Sequence, residues 1–115
     1  MRLTSEFWVA ALIRRVNGSG AFAALLKRGA TEAGAIFIKV RNADGRYDLF
    51  GPAPQSAYDE RKPEDRLFVS SVSKGEEAEA DARLASEKRF DPDLWIVEIE
   101  DYRGEMTELF PVREE

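Results

Sequence analysis

The sequence predicts a single α+β domain in which a mostly antiparallel sheet of four or five strands carries two packed helices. Three observations lead to this fold class. The chain of 115 residues is long enough for one hydrophobic core but not for two. Two segments show helical signals, and several short segments alternate apolar and polar residues between turn signals. We therefore assign residues 1–115 to one domain.

The first helix is predicted over residues 5–17. Thr4 or Ser5 can cap its start, and Asn17-Gly18 ends it because glycine readily adopts the left-handed conformation. Residues 21–28 fit a helix by propensity and a strand by alternation, and we favour the strand because the next segment needs a partner. The apolar stripe of the helix consists of Trp8, Val9, Leu12, Ile13 and Val16.

A β-hairpin follows. Residues 35–42 are predicted to form a strand with Ile36, Ile38 and Val40 on one face. The Asp-Gly pair at 44–45 is typical of a tight turn, after which the chain returns through residues 47–50. A two-residue turn fixes which residues face each other. The predicted pairs are Val40 with Leu49 on the buried face and Arg41 with Asp48 on the other.

The hairpin leads into a proline-containing segment and a second helix. Residues 51–66 hold three prolines among polar residues and predict a mobile surface loop. A short strand is predicted over 67–72. Ser73 and Glu76 have the spacing of a capping box, which opens an Ala- and Glu-rich helix that ends near Phe90. The helix has little apolar content, mostly Ala78, Ala82, Leu84 and Ala85, and is expected to pack as a close cover over the sheet.

The last predicted strand covers residues 94–100. Pro92 excludes the α conformation at Asp91, which ends the helix, and Asp91 is expected to cap the turn. Alternation directs Trp95, Val97 and Ile99 into the core. No structure is predicted for the tail after residue 104.

Composition excludes several kinds of chemistry. The chain has no cysteine and no histidine, which removes thiolates, disulfides, Cys/His zinc sites and the commonest general base. We predict no cofactor, and a non-enzymatic protein is favoured over an enzyme. No apolar run approaches the length of a bilayer-spanning helix, and no signal peptide is recognised. We therefore expect a cytoplasmic protein without membrane contact.

Charge is unevenly distributed along the chain. Residues 1–50 contain eight Lys/Arg and four Asp/Glu, whereas residues 51–115 contain nine and eighteen. The basic half faces either an anionic partner or the acidic half within the fold. The internal arrangement is favoured.

Three segments carry a resemblance to a known family. They are Phe7 to Arg15 (FWVAALIRR), Gly34 to Val40 (GAIFIKV) and Phe90 to Glu98 (FDPDLWIVE). With these segments the chain resembles the small alphaproteobacterial proteins grouped as domain-of-unknown-function family 1491. The resemblance implies a bacterial origin and a cytoplasmic location. It implies no activity, ligand or catalytic residue.

The hairpin supplies one candidate binding surface. Phe37, Lys39 and Arg41 are predicted to share its exposed face with Asp48 and Phe50. Aromatic rings interleaved with cations can stack on single-stranded RNA. In the alternative, the two phenylalanines pack under a helix and the cations lie at its margin. The acidic pI of about 4.9 also argues against binding to nucleic acid.

Arg14 and Arg15, together with Lys27 and Arg28, form a second candidate. They can dock a phosphate or an acidic protein, although basic residues near the end of a helix also suit its dipole.

Two carboxylates form the third candidate. Glu98 and Glu100 point to one face of the last strand, roughly 7 Å apart, and can hold Mg²⁺ or act as acid and base. Leu94 and Ile96 share that face. This favours the alternative in which the strand emerges from under a helix into water. The two glutamates then form a solvated end that can pair with Arg14, Arg15 or Lys39.

These observations favour a non-enzymatic binding or adaptor protein. It would act as a homodimer or with an unknown protein partner, through an exposed sheet edge or the 51–66 loop. An RNA-binding module that uses the hairpin face is the first alternative. A carboxylate metal-dependent enzyme is the second.

Overall fold

A five-stranded sheet forms the centre of the protein, and one helix packs on each of its faces. The computed structural model describes residues 3–54 and 66–113. In chain order its elements are α1 (Ser5–Gly18), β1 (Phe22–Lys27), β2 (Ile36–Arg41), β3 (Tyr47–Pro52), β4 (Phe68–Gly75), α2 (Glu77–Phe90), β5 (Trp95–Glu100) and a short 3-10 helix (Met106–Glu108). The strand order is β1-β5-β2-β3-β4. Only β2 and β5 pair in parallel among these strands, so the predicted α+β class with a mostly antiparallel sheet is confirmed.

The helix α1 covers one face of the sheet. Thr4 caps its N-terminus, accepting a hydrogen bond from the Phe7 N–H at 3.1 Å. Ser5 is buried in the first turn and donates to the Gly34 carbonyl at 2.6 Å. Leu109 and Phe110 belong to the same core, so part of the tail after residue 104 packs against the sheet. The other members of this core include Val9, Leu12, Val16, Ile38, Val40, Phe50, Trp95, Val97 and Ile99.

Residues 21–28 adopt the favoured strand. β1 runs antiparallel to β5 at the edge of the sheet, with a bulge between Leu25 and Lys27. The side chain of Asn17 contacts its outer side. The Ala23 N–H donates to Asn17 Oδ1 at 2.8 Å, and the Asn17 amide donates to the Ala23 carbonyl at 3.4 Å. Asn17 therefore takes the place of a neighbouring strand at Ala23.

The β2–β3 hairpin forms, but its predicted register is wrong by one residue. Lys39 lies opposite Leu49, and Arg41 lies opposite Tyr47. The turn holds one residue more than predicted, because Gly45 adopts a left-handed φ of +83° and donates to the Asn42 carbonyl at 2.9 Å. A shift of one residue moves every β3 side chain to the other face.

β3 and β4 are both longer than predicted. β3 continues through Gly51 and Pro52, which the sequence assigned to the loop, and the Ala53 N–H donates to the Leu67 carbonyl at 2.8 Å. Residues 55–65, the remainder of the predicted mobile loop, lie outside the described residues. β4 includes Ser73, so the predicted capping box is wrong. Glu76 occupies the N-cap of α2 without a side-chain hydrogen bond.

The helix α2 covers the other face of the sheet. The helix covers the sheet as expected, but of the apolar residues named from the sequence only Leu84 is buried; Ala80 is buried beside it, whereas Ala78, Ala82 and Ala85 are exposed. The helix is oriented by two acids, three positions before and one position after Ala80, that bind Lys39 as described below. The core on this side contains Phe37, Tyr47, Leu49, Val72, Ala80, Leu84, Leu94 and Ile96.

The corner before β5 forms as predicted. Asp91 is extended (φ −140°, ψ 91°) and ends α2. Its Oδ1 accepts a hydrogen bond from the Asp93 N–H at 3.0 Å, which closes the turn. Trp95, Val97 and Ile99 then enter the core under α1. In the described ranges, neither helix has the length and apolar character needed to span a bilayer.

Candidate functional site

The predicted hairpin surface does not exist as one exposed face. Phe37 is 6% exposed in the core under α2, and Phe50 is 9% exposed in the core under α1. Lys39 is also buried, and only Arg41 reaches solvent. The prediction of a shared aromatic and cationic face is therefore wrong, because the register shift places the two phenylalanines on opposite faces.

Lys39 is the centre of a charge cluster beneath α2. Its Nζ donates to Glu77 Oε2 at 2.8 Å and to Asp81 Oδ1 at 2.9 Å, and Glu98 Oε2 lies 3.7 Å away. The Tyr47 ring centre lies 5.1 Å from the same nitrogen. Pairing of Glu98 with Lys39 was one predicted option. Glu77 and Asp81 were missed, although two acids four residues apart lie on one side of a helix and so signal a shared partner.

The electrostatics of this cluster hold Lys39 in its charged form. Burial by itself lowers the pKa of Lys39. Hydrogen bonds to Glu77 and Asp81, together with the Coulomb attraction of Asp81 and Glu98, outweigh burial and raise the pKa above its ordinary value. A lysine acts as a nucleophile or base only when neutral. The cluster is therefore suited to joining α2 to the sheet rather than to covalent chemistry.

Glu98 and Glu100 point towards the α2 side of the sheet, and both are partly buried. A cation at Glu98 would compete with the Lys39 ammonium for the same carboxylate. Within residues 3–54 and 66–113, no group of three or more acids could hold a metal ion. Within the described residues, the two glutamates therefore have no third acidic residue beside them that could complete the predicted metal site.

Arg14 and Arg15 are both exposed on α1 but have different surroundings. Arg15 donates to the Glu108 carbonyl at 2.6 Å, which joins the helix to the C-terminal segment. Arg14 makes no ion pair with any described residue. The two side chains therefore share no contact that would hold them together at one anion-binding site.

The largest apolar exposure on the sheet lies on β1. Phe22 is 65% exposed, Leu26 is 50% exposed and Leu25 is 40% exposed, all within one edge strand of six residues. An exposed sheet edge was expected from the sequence, but its residues were not predicted. The available signal was the run of uncharged residues from 21 to 26, followed directly by Lys27 and Arg28.

These features define a small α+β domain with one helix on each face of a mixed sheet and a buried lysine under the second helix. The chain belongs to the DUF1491 family, a family of proteins of unknown function. The model of this family matches residues 3–107. The predicted family is thereby confirmed.

Solved structures of relatives have the same fold. The chain is similar to a protein from A. tumefaciens solved in solution, with 47% identity, a TM-score of 0.84, and coverage of 100% of this chain and 98% of that one. It is also similar to a DUF1491 protein from Caulobacter crescentus CB15. The crystal structure of that protein is 36% identical, with a TM-score of 0.79 and coverage of 99% and 100%. An NMR structure from the same organism gives 36% identity, a TM-score of 0.80 and coverage of 99% of both chains. A comparison with curated proteins gave no match.

Proposed function

We propose that the protein is a non-enzymatic binding module whose binding surface is the edge strand β1 and whose partner is a second copy of the chain. The observation that carries this proposal is the exposure of Phe22, Leu25 and Leu26 on one short strand. Clustered apolar exposure of this kind marks interaction surfaces in soluble proteins. An edge strand also invites pairing with another chain.

The form of the contact follows from the outer side of β1. Asn17 already binds both backbone groups of Ala23, and the bulge between Leu25 and Lys27 interrupts the ladder. A continuous backbone ladder across two copies is therefore blocked at these points. Side chains, led by Phe22, make the contact in this proposal.

The distribution of charge supports a second copy as the partner. Lys27 lies at one end of β1 and binds the carbonyl oxygens of Pro92 and Leu94, and no carboxylate among the described residues forms an ion pair with it. At the other end Phe22 lies opposite Glu100, with Asp101 next in the chain. A two-fold axis across β1 brings the basic end of one copy to the acidic end of the other. Such self-complementarity is what a symmetric dimer requires.

The test is the molar mass in solution, measured by light scattering and sedimentation over micromolar to millimolar concentrations. We expect a dimer, and a monomer for the double variant Phe22→Ser, Leu26→Ser. Phe7→Ser is the matched control, because Phe7 is 60% exposed but lies on α1. It should leave the dimer intact. A monomeric native protein throughout this range, or equal effects of the β1 and Phe7 variants, would contradict the proposal.

Two further expectations belong to this proposal. The cytoplasmic location stays a prediction. The RNA-binding alternative has lost its supporting observation, because Phe37, Lys39 and Phe50 are buried.

A further inference from the structure

We propose that a cleft at the C-terminal ends of β2 and β5 binds a small ligand with a phosphate or carboxylate group, which Arg41 and Arg103 recognise. The two proposals share Asp101, but their tests substitute different residues, so each can fail without the other.

The cleft consists of two adjoining cavities. One has a volume of about 620 Å³ and the other about 480 Å³, and both are lined by Gly20, Asp101, Tyr102 and Arg103. The larger cavity is also lined by Arg41 and by the hairpin turn at residues 42–43. Volumes of this order suit small-molecule ligands.

The position of the cleft follows from the topology of the sheet. β2 and β5 run in parallel, with Arg41 opposite Glu100 at their last residues. Their C-terminal ends therefore open at the same edge, and ligands commonly bind outside the carboxyl ends of parallel strands. Three connections meet there: the α1–β1 turn, the hairpin turn and the segment that follows β5.

The backbone at Asp101 shapes one wall of the cleft. Asp101 has a left-handed φ of 63°, which turns the chain immediately after β5. The next two residues, Tyr102 and Arg103, line both cavities as a result. The Tyr102 hydroxyl donates to Glu108 Oε1 at 3.0 Å, which fixes the ring in this wall. Non-glycine residues in such conformations are concentrated at functional sites.

The charges in the cleft indicate the class of ligand. Arg41 and Arg103 are exposed, and neither forms an ion pair within the described ranges. A guanidinium group matches the geometry of a phosphate or carboxylate and binds it through two parallel hydrogen bonds. The carboxylate of Asp101 lines the same space and that of Glu108 lines the smaller cavity, so a ligand with more than one anionic group is disfavoured. A ligand with one anionic group and neighbouring hydroxyl groups fits both kinds of side chain.

The test uses a pair of probes that differ in their anionic group. Glycerol 3-phosphate and glycerate are titrated separately into the ¹⁵N-labelled full-length protein, and glycerol serves as the neutral control. We expect saturable shifts of the amide signals of Gly20, Asn42 and residues 101–104 with at least one anion. Glycerol should produce none. The stronger of the two responses tells whether phosphate or carboxylate is the preferred group.

Variants separate the cleft from general surface charge. Arg41→Gln and Arg103→Gln should each weaken binding about tenfold, as expected for the loss of a charge-assisted hydrogen bond. Arg89→Gln, at the exposed end of α2, should leave the affinity unchanged. The amide spectra without probe show whether each variant is folded. Three outcomes would overturn the inference: no saturable shift with either anion, unchanged affinity in both cleft variants, or equal weakening by Arg89→Gln.

Discussion

The Nζ atom of Lys39 lies 2.8 Å from Glu77 Oε2, and this hydrogen bond joins the middle of the sheet to the first turn of α2. Lys39 has 6% side-chain exposure, whereas Glu77 and Asp81 have 51% and 55%. The cation is thus buried and its partners are half in water. The pairing also accounts for part of the uneven charge along the chain, because a basic residue of the first half binds acidic residues of the second half.

Removing the partners of Lys39 should cost more stability than removing Lys39 itself. The double variant Glu77→Gln, Asp81→Asn leaves a buried ammonium with only Glu98 nearby, and we expect a loss of about 3 kcal/mol. Lys39→Met leaves carboxylates that water can solvate and should cost about 1 kcal/mol. Urea denaturation measures both values. Arg83→Gln is the control, since it breaks only the exposed pair with Glu87 and should cost less than about 0.5 kcal/mol. A greater loss in Lys39→Met than in the double variant would contradict this account.

The free energy of unfolding should fall at alkaline pH. Burial raises the pKa of Tyr47, and burial with the hydrogen bond to Glu108 raises the pKa of Tyr102. The pKa of Lys39 is raised as well, by its acidic partners. Each group holds its proton more tightly in the folded than in the unfolded state. Its contribution is complete below the unfolded pKa, which is about 10 for tyrosine and lysine, and is lost as pH rises further.

Urea denaturation between neutral pH and strongly alkaline pH tests this expectation. The native protein should lose stability above about pH 10, and Lys39→Met should lose less over the same interval, since one of the three groups is absent. A flat profile in the native protein, or identical profiles in both proteins, would show that these protons are not linked to folding.

The conformation of Asp101 makes a prediction about its replacement. Glycine adopts a φ of 63° without a steric cost, so Asp101→Gly should change stability by less than about 1 kcal/mol. A β-branched residue does not tolerate this conformation, and Asp101→Val should lose about 1–2 kcal/mol. Thermal and urea unfolding measure the difference. Equal stability of the two variants would mean that the turn after β5 adapts to the side chain.

Features fixed by local chemistry were predictable from the sequence, and features fixed by distant contacts were not. The corner at Pro92 depends on neighbouring residues, and the structure reproduces it. The hairpin turn was recognised from its Asp-Gly pair, but that pair fits both a two-residue and a three-residue loop, and the wrong choice inverted the faces of β3. Lys39 was taken for a surface cation because its partners lie 38 and 42 residues away.

The stretch around Trp95 has the same long-range character. The Trp95 Nε1 donates to the Ala30 carbonyl at 2.8 Å, the Ala30 N–H donates to the Asp93 carbonyl at 2.8 Å, and Arg28 stacks over the indole at 5.3 Å. These contacts attach the start of β5 to the connection between β1 and β2. The segment Phe90 to Glu98, one of the three that carry the family resemblance, thus contains a tryptophan with a structural role.

Replacement of the two tryptophans should therefore have unequal effects. Trp95 is 1% exposed, and Trp95→Phe removes indole volume from the core and leaves the Ala30 carbonyl with only the longer hydrogen bond from the Gly34 N–H at 3.3 Å, so we expect a loss of about 2–3 kcal/mol. Trp8 is only partly buried and packs on Phe68 with ring centres 5.3 Å apart, so Trp8→Phe should lose about 1 kcal/mol. Urea unfolding followed by circular dichroism compares the two variants without depending on tryptophan fluorescence. Equal losses would mean that the indole hydrogen bond contributes little and that ring burial alone determines the stability at Trp95.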